Sequence, residues 1–257
     1  MKTKNTKIKN ILKQETIAHH LNFSQPQKTN CSFFKFNKKA FTLAEVLVTL
    51  TIIGVVAAIT VPTLSHNATK HATINTLKTT YSILSQAIYR AQADYGDASG
   101  WITENERWTE KGATEVAEKL KPYLKIEKDC GTYDEKKECV SSKYLKRNGE
   151  SQGINCATDI RYYKMVLLNG SALLIKSTDN TSYQNENSHF SIHVDTNNSL
   201  PPNKWGEDMF AFVYIENKLI PSGAPEQMSS FKESCLPKDG TGFGCAYYVL
   251  TTGKMDY

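Results

Sequence analysis

Residues 38–64 read KKAFTLAEVLVTLTIIGVVAAITVPTL, and the architecture of the chain turns on them. From Phe41 to Val61 there are 21 residues with a single charge, Glu45. Wound as an α-helix, the run is ~31 Å long, close to the ~30 Å hydrocarbon layer of a bilayer. Lys35, Lys38 and Lys39 stand directly before it, so the positive-inside rule keeps the N-terminus cytoplasmic and sends the rest across. A secretory signal peptide fits poorly: its apolar core is usually about 7–15 residues and lacks an acid. The following AAITVPTLSHNA also offers only a poor small-x-small cleavage site. A buried helix of a soluble protein is rarely apolar on every face over such a length. A plain single-pass anchor explains length and orientation but not Glu45. An acid in the bilayer costs roughly 2.5–3.5 kcal/mol and therefore implies a partner.

The bulk composition supports an anchored, extracytoplasmic reading. The net charge of +5 is concentrated at the start: residues 1–40 hold nine of the 31 basic residues and one of the 26 acidic ones. That leaves 22 basic against 25 acidic residues over 41–257, a balance of −3. No basic cluster with interleaved aromatics remains there, so direct nucleic-acid binding is not indicated. An apolar fraction of 40% excludes a wholly disordered chain. Five of the six cysteines, Cys130, Cys139, Cys156, Cys235 and Cys245, lie beyond residue 125 without the two-residue gaps of a zinc ribbon. Disulfides in an oxidising compartment explain them better.

The stretch Lys38-Lys39-Ala40-Phe41-Thr42-Leu43-Ala44-Glu45 resembles the cleavage and methylation motif of prepilins and type II secretion pseudopilins. That family has a basic leader, a small residue, then Phe-Thr-Leu and an acid at the fifth mature position. Gly54 and Pro62 fall where the family has a helix-loosening Gly and Pro. Two departures stand out: Ala40 replaces the usual Gly, and the leader of 40 residues is long. The resemblance implies cleavage between Ala40 and Phe41, methylation of Phe41 and removal of the leader, residues 1–40. It further implies a transmembrane and assembly helix over 41–62, its continuation over 63–100, and an extracytoplasmic globular domain over 101–257. The implied partners are a prepilin peptidase, sibling subunits, an assembly ATPase with its membrane platform, and the lipid bilayer. The implied setting is the bacterial inner membrane, with assembly into a type IV pilus or a type II secretion pseudopilus. The alternative is a membrane-tethered extracytoplasmic binding domain without a filament role; processing at Phe41 and dependence on Glu45 separate the two.

Residue chemistry gives that motif a physical sense. Cleavage frees the α-amine of Phe41 four residues from Glu45, on the same helix face. In a staggered neighbour that amine neutralises the Glu45 carboxylate inside an apolar bundle, where either charge alone is costly. Pro62 removes the helical hydrogen bond to the carbonyl of Ala58 and is expected to kink or loosen the helix there, and the resemblance implies that the stretch from Gly54 to Pro62 melts on assembly.

Beyond Pro62 the helix is expected to continue, with Ile74, Leu77, Tyr81, Leu84, Ile88, Ala91 and Tyr95 forming one apolar stripe that packs on a sheet. Asp94–Gly100 reads as its stop, and a short helix is expected over 113–124. Residues 125–158 read as a loop braced by disulfides. RYYKMVLL-NG-SALLIKST reads as a hairpin, with Asn169-Gly170 supplying the two positive φ angles of a type I′ turn. Further strands are expected over 189–194, 208–215 and 218–220, the last pair turning at Glu216-Asn217, with a final strand over Cys245–Leu250. The fold class is therefore α+β: a long N-terminal helix packed on a small antiparallel sheet, pilin-like.

Candidate sites divide unevenly. Cys235 and Cys245 enclose a short Gly-rich loop and are expected to be bonded, which contributes about 2–3 kcal/mol in the chain-entropy picture. Of Cys130, Cys139 and Cys156, two pair and one is left over, with Cys130–Cys139 the expected pair. Gly240, Gly242 and Gly244 have the wrong spacing for a phosphate loop. His189 and His193 are read as solvent-exposed strand histidines rather than metal ligands. No nucleophile motif frames any Ser, His or Asp, so no enzyme activity is expected. In the loop from Asp195 to Asp208, the side chains of Asp195, Asn197 and Asp208 are candidate Ca²⁺ ligands. The loop resembles an Asp-x-Asn-Gly…Pro-Asn…Gly-x-Asp stretch of some pilin-like proteins, with Asn198 in place of the Gly. The competing explanation is that Asp, Asn, Pro and Gly simply build turns there.

Overall fold

A computed structural model of the chain describes residues 41–178, 188–225, 227, 231–236 and 240–257. The leader, with Lys35, Lys38, Lys39 and Ala40, lies outside the described residues. The chain divides into two compact units, Met1–Thr51 and Ile52–Tyr257. Helix α1 (Leu43–Tyr95) passes through Gly54 and Pro62. Pro62 has no N–H to offer, so one hydrogen bond is missing there without ending the helix. The end comes at Gly96, whose φ of +78° and N–H bond to the carbonyl of Gln92 (3.0 Å) close the last turn.

Within the second unit, α1 buries Ile74, Leu77, Leu84, Ala87, Ile88 and Ala91 in the core. Tyr81 is partly buried, stacking on Phe212 at 5.3 Å, while Tyr95 is exposed. Helix α2 (Glu110–Leu120) starts three residues before the expected position, because Thr109 caps it by accepting the N–H of Gly112 (3.1 Å). Its Ala113, Val116, Ala117 and Leu120 are fully buried.

The sheet is a six-stranded antiparallel meander in chain order: β1 (Ile126–Gly131), β2 (Tyr163–Leu167), β3 (Ala172–Ser177), β4 (Ser188–Asp195), β5 (Met209–Ile215) and β6 (Lys218–Pro221). Strands β2, β3 and β5 are buried at every position, so both faces of the sheet are covered. One face carries Met165, Leu173, Ile175, Phe190, Ile192, Phe210 and Phe212 against the helices. The other carries Val166, Ala172, Leu174, Met209 and Ala211 beneath a layer of loop residues that includes Val140, Tyr144, Cys156 and Trp205. Both edges are guarded. Edge strand β1 is irregular and carries Glu127, Lys128 and Asp129 exposed, whereas β6 is short and ends in Pro221.

Four expectations are corrected. The stretch opening at residue 125 is not all loop, since β1 pairs with β2; its charged residues suit an edge rather than a buried strand. The turn at Asn169-Gly170 is not type I′, because only Gly170 has positive φ (+83°). The Leu167 N–H instead bonds the Ser171 carbonyl (2.8 Å), and Asn169 Oδ1 accepts from the Ser171 N–H and hydroxyl. The two-residue turn with both φ positive is Glu216-Asn217 (48° and 64°). After a short helix α3 (Phe231–Ser234), residues Cys245–Thr252 form helix α4, not a strand, with Cys245, Ala246 and Val249 buried at helical spacing and Gly253 (φ +68°) closing the end. His193 is buried, packed at 5.6 Å from the Tyr162 ring and 5.0 Å from Trp205, and burial holds it well below the usual histidine range.

The tight packing around Gly112 of α2 generates a stability prediction. A Cβ at Gly112 would lie 2.1 Å from the Glu106 carbonyl oxygen and 2.6 Å from Ser177 Oγ, while one at Gly100 would meet nothing within 4 Å. Gly112→Ala is expected to cost about 1–3 kcal/mol by overpacking, and Gly100→Ala to stay within about 0.5 kcal/mol. Urea unfolding of the full chain in mild detergent distinguishes them; equal stabilities would contradict the packing described.

Candidate functional site

The start of α1 is built by the motif itself. Thr42 precedes the first helical residue, and its hydroxyl accepts the Glu45 N–H at 3.2 Å. Glu45 Oε2 accepts in return from the Thr42 N–H and hydroxyl, both at 2.9 Å. This is a reciprocal capping box, and it gives the carboxylate two donors from its own chain. Every described residue from Phe41 to Pro62 is exposed, Phe41 at 84% and Ile59 at 69%. Among the described residues, α1 is the helix long and apolar enough to cross a membrane. Its threonines suit that setting: the hydroxyls of Thr49, Thr51 and Thr60 donate to the carbonyls of Val46 (3.0 Å), Leu47 (2.8 Å) and Val56 (2.9 Å). No polar group in those three side chains then faces hydrocarbon without a partner.

The loop joining β4 to β5 holds the second candidate site. Asp195 and Asp208 are both buried. Asp195 Oδ2 accepts from the Tyr144 hydroxyl at 2.6 Å and Oδ1 from the Asn197 N–H at 3.2 Å. Asp208 accepts from the N–H groups of Lys204 (2.6 Å) and Asn203 (2.7 Å). Burial pushes the Asp208 carboxyl up to about 6 despite those two bonds. Burial and the neighbouring Asp208 charge push Asp195 well above the usual carboxylate range. The side-chain oxygens Asn197 Oδ1 and Asn203 Oδ1 are buried without a hydrogen-bond partner. Two carboxylates and two orphaned amide oxygens are the donor chemistry of a hard cation such as Ca²⁺, so these residues fit one.

Sequence reading named Asp195, Asn197 and Asp208 but neither Asn203 as a donor nor Tyr144. Tyr144 lies 51 residues from Asp195 in sequence, and no local pattern announces that bond. The structure bonds Cys130 to Cys139 and Cys235 to Cys245 and leaves Cys156 a buried thiol.

Residues 35–61 match the prokaryotic N-terminal methylation motif. Residues 63–235 match a family of unknown function (DUF6613). The chain belongs to that family. With the methylation motif at residues 35–61 and the α+β body behind it, it is a pilin-like, membrane-anchored protein whose apolar helix is α1. No curated protein and no solved structure matches it.

In this pilin-like chain the raised Asp208 pKa makes a signed prediction for the metal-free protein. A carboxyl raised on folding stabilises fully below its unfolded value of about 3.9 and loses that contribution as pH rises through about 6. In chelator, the full chain is therefore expected to lose on the order of 2–3 kcal/mol of this contribution between pH 4 and pH 7. Asp208→Asn should flatten that part of the profile, read as melting temperature against pH. An unchanged slope in the variant would contradict the assignment.

Proposed function

We propose that the protein is a structural subunit of a type IV pilus-like or type II secretion pseudopilus filament. Prepilin peptidase cuts between Ala40 and Phe41 and methylates the new N-terminus. The subunit then waits in the inner membrane as a single-pass protein, with Lys35, Lys38 and Lys39 marking the cytoplasmic side before cleavage. An assembly ATPase and membrane platform extract it into the filament with sibling subunits. Its role is mechanical rather than enzymatic.

The observation that carries this reading is Glu45. It is an acid in an otherwise uncharged apolar run, and its side chain turns back to bond its own Thr42. The capping box makes the carboxylate tolerable in a lone subunit. The Phe41 amine of a neighbour supplies what the capping box lacks, a positive charge, in a setting where unpaired charge is expensive. Gly54 and Pro62 place the missing helical bond where α1 leaves the span, so extension there costs little. A membrane-tethered binding domain has the same anchor but no use for Glu45.

Maturation and assembly are tested separately. Intact-mass and N-terminal sequencing of membrane-extracted protein should find methylated Phe41; an N-terminus at Met1 or downstream of Pro62 would refute processing. Glu45→Ala should be cut and inserted as well as wild type, since the span becomes more apolar, but should yield few filaments. Normal filament recovery from that variant would favour the tethered domain.

We further propose that Asp195, Asn197, Asn203 and Asp208 hold a structural Ca²⁺, the orphaned amide oxygens being the supporting observation. A cation bound only by the folded protein raises the melting temperature with its concentration. The full chain in millimolar Ca²⁺ should melt several degrees above the same chain in chelator, and Asp195→Asn should abolish the difference. No shift in the wild type would leave the turn-building role alone.

A further inference from the structure

The loop layer on the second face of the sheet holds three metal-ligating groups that a disulfide keeps out of use. Cys130 Sγ, Cys139 Sγ and a carboxylate oxygen of Asp134 all lie within 4.8 Å of one another. Their order, Cys130-x3-Asp134-x4-Cys139, is not zinc-ribbon spacing, and the fold rather than the spacing gathers them. Cys130 sits in edge strand β1, and a turn closed by the Lys137 N–H on the Asp134 carbonyl (3.1 Å) brings the chain back to Cys139.

The acid is held in place by its own loop. Asp134 is buried, and its Oδ1 accepts the Glu138 N–H at 2.9 Å. Its Oδ2 accepts the N–H groups of Cys139 (2.9 Å) and Val140 (3.2 Å). A carboxylate offers about four lone-pair positions, so Oδ1 keeps one beyond these bonds. The buried Lys164 ammonium donates to the carbonyls of Thr132 and Asp159 and interacts electrostatically with Asp134. A zinc ion on two thiolates and a carboxylate leaves one net negative charge, which that lysine offsets. The Cα atoms of Cys130 and Cys139 stand 6.3 Å apart, towards the wide end of the ~4.4–6.8 Å usual for a disulfide. That separation suits two sulfurs ~3.8 Å apart on one tetrahedral zinc, each ~2.3 Å from the metal.

We propose that, once the Cys130–Cys139 bond is reduced, Cys130, Cys139 and Asp134 bind a zinc ion with water in the fourth position, and the metal takes over the closure of this loop. A dithiol reductant supplies the two electrons. One of its thiolates attacks the sulfur of Cys130, the less buried of the pair, and Cys139 leaves as a thiolate. Its second thiolate then releases Cys130, and the reductant departs as its own disulfide. Zinc binds both protein thiolates, and the two protons first carried by the dithiol pass to solvent. Thiolate ligands separate this site from the all-oxygen loop of Asp195 and Asp208, which suits a harder cation. The assignment does not depend on filament assembly.

The test reduces the full chain in mild detergent with a dithiol, desalts it without oxygen and titrates it with Co²⁺, followed by Zn²⁺. A thiolate-to-cobalt charge-transfer band in the near ultraviolet should grow in the reduced chain, stay absent from the oxidised one and vanish as zinc displaces cobalt. Cys130→Ser, Cys139→Ser and Asp134→Asn should each weaken cobalt binding at least tenfold, the loss that follows removal of even an outer-shell partner. Cys156→Ser and Cys235→Ser should bind like the wild type. The oxidised Asp134→Asn chain should melt close to the wild type, because the amide oxygen still accepts the backbone N–H groups. No band in the reduced wild type, or an equal band in the oxidised chain, would overturn the proposal. So would a band that survives in both Cys130→Ser and Cys139→Ser, or one lost in Cys156→Ser or Cys235→Ser, since the metal would then sit elsewhere. Unchanged affinity in Asp134→Asn would remove the acid from the site and overturn it equally.

Discussion

A single carboxylate in a 21-residue apolar run is the constraint on which the rest of this protein depends. Burying a lone charge in hydrocarbon is costly, and the structure shows the local means of reducing that cost: a capping box that turns Glu45 back onto Thr42. The same two residues close the first turn of α1, so the helix start and the handling of the charge are one device. A capping box supplies hydrogen-bond donors but no opposite charge. The carboxylate is therefore left with an unmet electrostatic demand that another subunit can satisfy.

Past Pro62, the requirement on α1 changes from facing lipid to holding a domain. Leu77, Leu84 and Ala91 are fully buried, and Ile74 and Ile88 nearly so, which anchors α1 on one face of the sheet. The opposite face is roofed by loop residues rather than helices, and the Cys130–Cys139 bond braces that roof. Within it, Tyr144 reaches Asp195 and thereby joins the roof to the loop between β4 and β5. That loop then forms part of the wall of a cleft beside α1 through Lys204 and Glu207. The elements that meet near the end of the span are thus tied into the core rather than hanging from it.

How much of this was legible in the sequence follows from the range of each interaction. The span, the stripe on α1 and strands β2 to β6 are written in short-range periodicity, which local reading detects. Helix α4 was missed because Cys-Ala-Tyr-Tyr-Val-Leu is an apolar run too short for periodicity to separate strand from helix; Gly253, the residue that caps it, was the available signal. Asn169-Gly170 was misread because a third loop residue changes the turn, whereas Glu216-Asn217 makes the tighter turn without a Gly. His193 was read as exposed because strand alternation assumes one wet face, and this sheet has none at that position. At the loop site, the acids were visible as a cluster, but the orphaned amide of Asn203 and the Tyr144 bond exist only in the folded chain.

The central claim is that Glu45, capped by its own Thr42, gains the Phe41 amine of a neighbour as its ion-pair partner when subunits assemble. Solid-state NMR on filaments mixed from two labelled pools measures this directly, with ¹⁵N at the Phe41 amine in one pool and ¹³C at the Glu45 carboxyl in the other. The account predicts dipolar dephasing consistent with an intersubunit separation of about 4 Å, the range of a direct ion pair. The absence of dephasing in the mixed filaments would contradict it.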